Sequence, residues 1–138
     1  VKHFPFPVKN LSILIPRVQS GGNNLIIDNL LSRGALVKEV AAYESRCPES
    51  IPLETINAFQ SKTIDAILFS SGKTVKNTAF LLQKHFGREW KAILSEVKLF
   101  SIGPQTTLEC HRNFGRVDKE ADKYTFEGLL KATINYFS

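Results

Sequence analysis

Apolar residues in this chain come in short blocks whose spacing switches repeatedly between that of a strand and that of a helix. The most telling block is Ala66-Ile67-Leu68-Phe69, an unbroken apolar run between Asp65 and Ser70. Such a run predicts a strand buried on both faces, as inside a parallel sheet. It stops at Ser70-Ser71-Gly72, and a helical stripe follows at Val75, Ala79, Leu82 and Phe86, with Gly87 as its stop. A second copy of this design spans residues 97–107. There the strand ends at Ile102, Gly103-Pro104 makes the turn, and a helix is predicted over 105–113, ending before Gly115. Pro104 suits a first helical turn, where its missing N–H costs no bond.

The remaining blocks repeat the alternation. Residues 1–10 hold two prolines and no useful periodicity, so an extended lead-in is expected. Residues 11–15 form a short apolar strand halted by Pro16, and 17–24 a polar loop. Residues 25–32 carry a helical stripe, with Gly34 where a helix C-terminal glycine belongs. A second strand covers 35–43, and prolines 48 and 52 punctuate a loop or linker at 46–52. A helix over 53–60 has Leu53, Ile56 and Phe59 on one side. Trp90, Ile93 and Leu94 belong to another short, core-packed helix, and Val117 to a short edge strand. Thr125 caps a last helix over 126–136. Strand and helix alternate five times, which predicts an α/β fold: three layers, a mostly parallel sheet with helices on both faces.

Length and composition narrow the picture. At 138 residues, 43% hydrophobic and 22% charged, the chain supports one domain with a real core and excludes wholesale disorder. No apolar run approaches the roughly 20 residues of a membrane span, and no signal-peptide apolar region opens the chain. A cytoplasmic setting without membrane contact is expected. The lack of any Met fits a removed initiator or a piece of a longer chain. Cys47 and Cys110 have no metal-ligand spacing, so reduced thiols are expected. A net charge of +5 favours an anionic partner. The basic residues are dispersed singly, with no aromatic RNA-binding motif and no zinc finger. A nucleic-acid partner is therefore not expected, and a polyanionic small molecule suits the dispersed charge.

Candidate chemistry gathers at the two turns. Ser70-Ser71-Gly72-Lys73-Thr74 contains Gly-Lys-Thr, but a phosphate loop needs a further glycine where Ile67 stands, which argues against nucleoside triphosphate binding. Ser71 either caps the following helix or holds an anion, and Lys73 is a carboxylate ligand or a solvated charge. The hydroxyls of Gly103-Pro104-Gln105-Thr106-Thr107 face the same choice between helix capping and oxyanion binding. Tyr43 is a core aromatic or a proton donor. His3, His85 and His111 are scattered and read as surface residues; no metal cluster, triad or carboxylate pair is arguable.

Taken in order, these residues resemble the second half of uroporphyrinogen-III synthase. The resemblance rests on Leu14-Ile15-Pro16-Arg17, Leu31 to Gly34 with Val37, and Val40 to Tyr43. It continues through Asp65 to Ser71, Ile102-Gly103-Pro104 with Thr106, and Ala121, Thr125 and Leu129-Leu130. It runs over nearly the whole chain from Leu11, and the order and spacing of the motifs carry it rather than any single one. It implies a two-domain enzyme of flavodoxin-like α/β modules joined by a two-stranded linker. The linear tetrapyrrole hydroxymethylbilane binds in the cleft between them and closes to uroporphyrinogen III, losing water and inverting its last ring. The implied class is a cyclising lyase of tetrapyrrole and haem biosynthesis, with no cofactor and no metal. A polycarboxylate substrate suits the basic charge and the two hydroxyl-rich turns.

Residue by residue, Tyr43 matches the family's linker tyrosine, which implies a catalytic role as general acid toward the departing hydroxyl. Ser71 and Thr106 match residues expected to hold substrate carboxylates by hydroxyl and backbone N–H; Ser70, Gly72, Lys73, Gly103 and Pro104 share their turns. Arg17 matches a Pro-Arg pair and is expected to face a carboxylate. The chain departs from the family at Asn23 and Asn24, where many members have an arginine, and at Lys73, where a small residue is usual. Family chains are nearly twice as long and cross between domains just after the tyrosine. Residues 1–47 then form a lead-in and strand-helix-strand unit, and 48–138 the main α/β domain. The 11–43 unit either closes onto that domain or exchanges with a second copy in a swapped homodimer. The self-closed sheet is the expected arrangement, and half a cleft is not expected to catalyse efficiently alone. The alternative from another class is a non-catalytic α/β module binding an anionic ligand or a protein partner.

Overall fold

The structure, a computed structural model, describes residues 10–17, 31–32, 34–41 and 50–138. Among the described residues five strands make one sheet: β1 (Ser12–Arg17), β2 (Leu36–Ala41), β3 (Ala66–Phe69), β4 (Lys98–Ser101) and β5 (Lys119–Glu120). They lie in the order β2-β1-β3-β4-β5, every pairing parallel. Of the same residues Leu31 and Ser32 are helical, and the further α-helices are α1 (Leu53–Gln60), α2 (Gly72–Phe86), α3 (Pro104–Phe114) and α4 (Phe126–Tyr136). This is the flavodoxin-like winding, whose strand order reverses between β1 and β3.

Alternation along each strand sorts the core into two layers. Leu14, Ile67, Phe69 and Leu99 face α1, α2 and α3, meeting Phe59, Val75, Leu82, Cys110 and Phe114. Ile13, Ile15, Ala66, Leu68 and Phe100 face the other way, onto Leu129, Leu130 and Ile134 of α4. The unbroken apolar run at 66–69 follows directly: every residue of β3 is buried against one layer or the other. Each such large side chain contributes about 1.5–3 kcal/mol on burial. Two aspartates fasten the amino-terminal edge. The Asp65 carboxylate accepts from the Ser12 N–H at 3.0 Å, and that of Asp118 from the Leu99 N–H at 2.7 Å.

Several elements match the sequence pattern to the residue: α1, β3, and α4 with its Thr125 cap. The helix stops expected at Gly34, Gly87 and Gly115 have φ of 90°, 62° and 82°. Four expectations are corrected. Pro16 does not end β1, which continues to Arg17. Pairing of β1 with β3 covers only Ile13 and Leu14, so the missing Pro16 N–H interrupts no ladder toward β3. The helix placed from Val75 begins at Gly72, because the Ser71 cap lets three polar residues form its first turn. The segment around Trp90 is two 3-10 turns, Gly87–Glu89 and Ala92–Leu94, rather than one helix. The edge strand lies at Lys119–Glu120 and not at Val117, whose side chain packs partly buried against the first layer. The lead-in before Asn10, most of the expected helix at 25–32, and the 42–49 segment with Tyr43 and Cys47 lie outside the described residues.

Candidate functional site

In a doubly wound sheet ligands bind beyond the carboxyl ends of the strands, beside the point where strand order reverses. Here that point lies between the ends of β1 and β3, at Arg17 on one side and Ser70-Ser71 on the other. Both hydroxyl-bearing turns open on this edge. The Ile102 N–H donates to the Phe69 carbonyl at 3.1 Å, so the turn after β4 starts directly beside the turn after β3.

The first turn is built by Ser71. Its backbone is extended, with φ −161° and ψ 158°, and its Oγ accepts from the Thr74 N–H at 3.2 Å. The Thr74 hydroxyl donates back to the Ser71 carbonyl at 2.7 Å. The capping role of Ser71 is thus filled, and the half-buried Ser70 and Gly72 and the exposed Lys73 flank it. The first N–H groups of α2 lack intrahelical acceptors, which favours an anion there. Gly72 sits close under α3, since a Cβ on it would fall 2.9 Å from Cγ of Glu109. Glu109 in turn pairs with Lys76 at 3.8 Å and Arg112 at 3.2 Å.

The second turn is built differently. Gly103 caps α3 with no side-chain hydrogen bond and Pro104 opens the helix. Thr106 is only 3% exposed, so its side chain belongs to the interior and its backbone is what this turn offers. The neighbouring Thr107 does the anchoring. Its hydroxyl contacts the hydroxyl of the fully buried Ser101 and donates to Oε1 of Glu120 at 2.6 Å. Ser101 and Glu120 end paired strands, so this chain of hydroxyls ties the start of α3 to β4 and β5. Sequence reasoning missed Ser101, Thr107 and Glu120 as a unit. Thr107 stood in a hydroxyl-rich run, but a lone glutamate in a two-residue edge strand gave no signal.

Away from the two turns, Cys110 and Arg116 belong to the packing and bonding of the fold. Burial first, and the Glu109 carboxylate second, push the Cys110 thiol up to about 12, against a partial opposite pull from Arg116. A thiol held protonated there is no nucleophile. Arg116 pairs with Asp118 and donates to the carbonyls of Leu94 at 2.7 Å and Val97 at 2.8 Å, at the opposite end of the sheet. His85 and His111 are exposed. Among the described residues no group of three or more His, Cys, Asp or Glu is placed to hold a metal ion, and no helix is long and apolar enough to cross a membrane.

Known proteins resemble the chain over most of its length. The profile of the uroporphyrinogen-III synthase HemD family matches residues 5–131. A uroporphyrinogen-III synthase of Synechococcus elongatus is 46% identical over 132 residues, covering 96% of this chain and 50% of that protein. The wild-type crystal structure of uroporphyrinogen III synthase from the extreme thermophile Thermus thermophilus is 18% identical, with a TM-score of 0.47 over 92% of this chain and 50% of that one. A mutant of the same enzyme gives 0.48 at 18% identity, over 94% and 51%. The chain spans about half the length of the curated relative that it matches.

Proposed function

The chain belongs to the uroporphyrinogen-III synthase HemD family, and from that premise we propose that it is the carboxyl-terminal half of such a synthase. The reaction is the closure of hydroxymethylbilane to uroporphyrinogen III, a lyase step in tetrapyrrole biosynthesis that releases water and inverts the last ring. In this reading the rim turns hold substrate carboxylates. Ser71 and its neighbours Ser70, Gly72 and Lys73 offer hydroxyl and backbone donors at the start of α2. Gly103, Pro104 and Thr106 form the matching backbone cradle at the start of α3. Arg17 pairs with a further carboxylate, and Tyr43 protonates the departing hydroxyl. The reaction runs in the cytoplasm, without nucleic acid or membrane.

The observation that carries this reading, beside family membership, is the pair of helix N-termini opening from adjacent strands β3 and β4 at one edge. Two aligned dipole ends at neighbouring positions suit a ligand with several carboxylates on one scaffold. A coupled assay on freshly made hydroxymethylbilane tests it. The expected outcome is type III product when this chain is combined with the other half of the polypeptide, and little from this chain alone. Only the spontaneous type I isomer from the combined halves would overturn the reading and favour a binding module.

A further inference from the structure

We propose that Tyr124 forms a wall of this half-site, its ring lying against a pyrrole of the substrate whose side arm reaches the start of α3; the proposal rests on the synthase reading above. Nothing in the hydrophobic pattern singled out Tyr124, which stands in the connection from β5 to α4. The structure holds that connection at both ends. The Ala121 N–H donates to the Ser101 carbonyl at 2.9 Å, and Ala121 is buried. At the far end Thr125 accepts from the Gly128 N–H at 2.9 Å, and its own N–H donates to the Lys123 carbonyl at 2.8 Å. Gly128 lets the turn lie this tightly on α4, because a Cβ there would fall 2.1 Å from the Lys123 carbonyl oxygen.

The turn so fixed sets Tyr124 over Gly103. Cδ1, Cγ and Cβ of the tyrosine lie 3.3, 3.4 and 3.5 Å from the place a Cβ on Gly103 would take. Gly103 has φ −173°, a conformation open to any residue, so its backbone does not call for glycine. A Cβ there would press on the ring, which would have to give by a few tenths of an ångström. One edge of the ring therefore rests on the residue that opens α3, while 64% of Tyr124 stays exposed. An aromatic ring carried on a bonded turn, yet left mostly in water, gains little as core. Beside the donors of the first turn of α3 it offers a π face to an aromatic ring and the adjacent N–H groups to that ring's carboxylate. A pyrrole bearing acidic side arms has both features.

Titration of the isotope-labelled chain, combined with the other half of the polypeptide, with uroporphyrinogen III, kept reduced, tests the proposal by amide NMR. The expected result is shifts at Gly72, Lys73, Gly103 and Gln105 in the unsubstituted protein. Tyr124→Ala should bind about three- to tenfold more weakly with an unchanged melting temperature, and Tyr124→Phe about as well as the original. Full affinity in Tyr124→Ala, with the rim amides still shifting, would overturn the role of Tyr124 and leave the synthase reading standing. Equal weakening in Tyr124→Phe would overturn the ring contact. No shift at either turn would sink both the wall and the reading beneath it.

Discussion

Thr107 donates its hydroxyl proton to Glu120 across 2.6 Å, joining the first turn of a helix to the last residue of an edge strand. A strand of two residues has a short ladder, so this side-chain bond adds to the backbone bonds that Asp118 and Ala121 make to β4 on either side of it. Thr107→Val leaves the buried Ser101 hydroxyl and the Glu120 carboxylate each short of a partner. The expected loss is about 1–3 kcal/mol of stability in urea unfolding, with Thr107→Ser recovering most of it. An unchanged midpoint in Thr107→Val would show the bond to be dispensable.

Ser71 allows its structural and its binding roles to be separated. Removing the cap in Ser71→Ala should cost about 1 kcal/mol in chemical denaturation. Ser71→Asp keeps a good cap and should retain stability, yet it sets a fixed negative charge where a substrate carboxylate is proposed to lie. Weaker binding of uroporphyrinogen III with an unchanged unfolding midpoint is the expected signature. Undiminished binding would remove Ser71 from the site.

At Gly128 a methyl group would meet backbone, which cannot swing aside as a side chain tip can. Gly128→Ala should lower stability by about 1–3 kcal/mol, the usual range for forced overpacking. It should also shift the Gly103 amide resonance, since the turn that carries Tyr124 has to move. A stable variant with an unperturbed Gly103 signal would contradict the tight turn.

Cys110 predicts a pH dependence with a definite sign. Its thiol titrates at 9.0 unperturbed and at about 12 in the fold, so between those values the unfolded chain has lost a proton that the folded one keeps. Its contribution is fully present below the lower value and fades as pH rises to the upper, by about 1.4 kcal/mol per pH unit crossed. Urea unfolding of the protein and of Cys110→Ala at about pH 8 and about pH 11 checks it. The native chain should lose more stability over that interval than the variant does; parallel losses would refute the burial effect.

Much of the fold was legible because local chemistry and tertiary role agreed. Phe69 and Ile67 look inward in sequence and in space, and Thr125 caps a helix with a hydroxyl wherever such a helix packs. Pro16 and Val117 misled for a shared reason. Whether a proline breaks a strand depends on the neighbour facing its nitrogen, and whether a valine joins a sheet depends on where the edge happens to run.

By itself, then, the sequence determined the alternation of elements, the double burial of β3 and the two hydroxyl-rich turns, and through the order of its motifs the family. These follow from spacing and composition, which are properties of residues near one another along the chain. Only the tertiary structure decided that Thr106 turns inward while Thr107 reaches Glu120, and that Tyr124 lies on Gly103. Those partners are 13 and 21 positions apart, and no local pattern encodes which of two adjacent hydroxyls a folded sheet will bury.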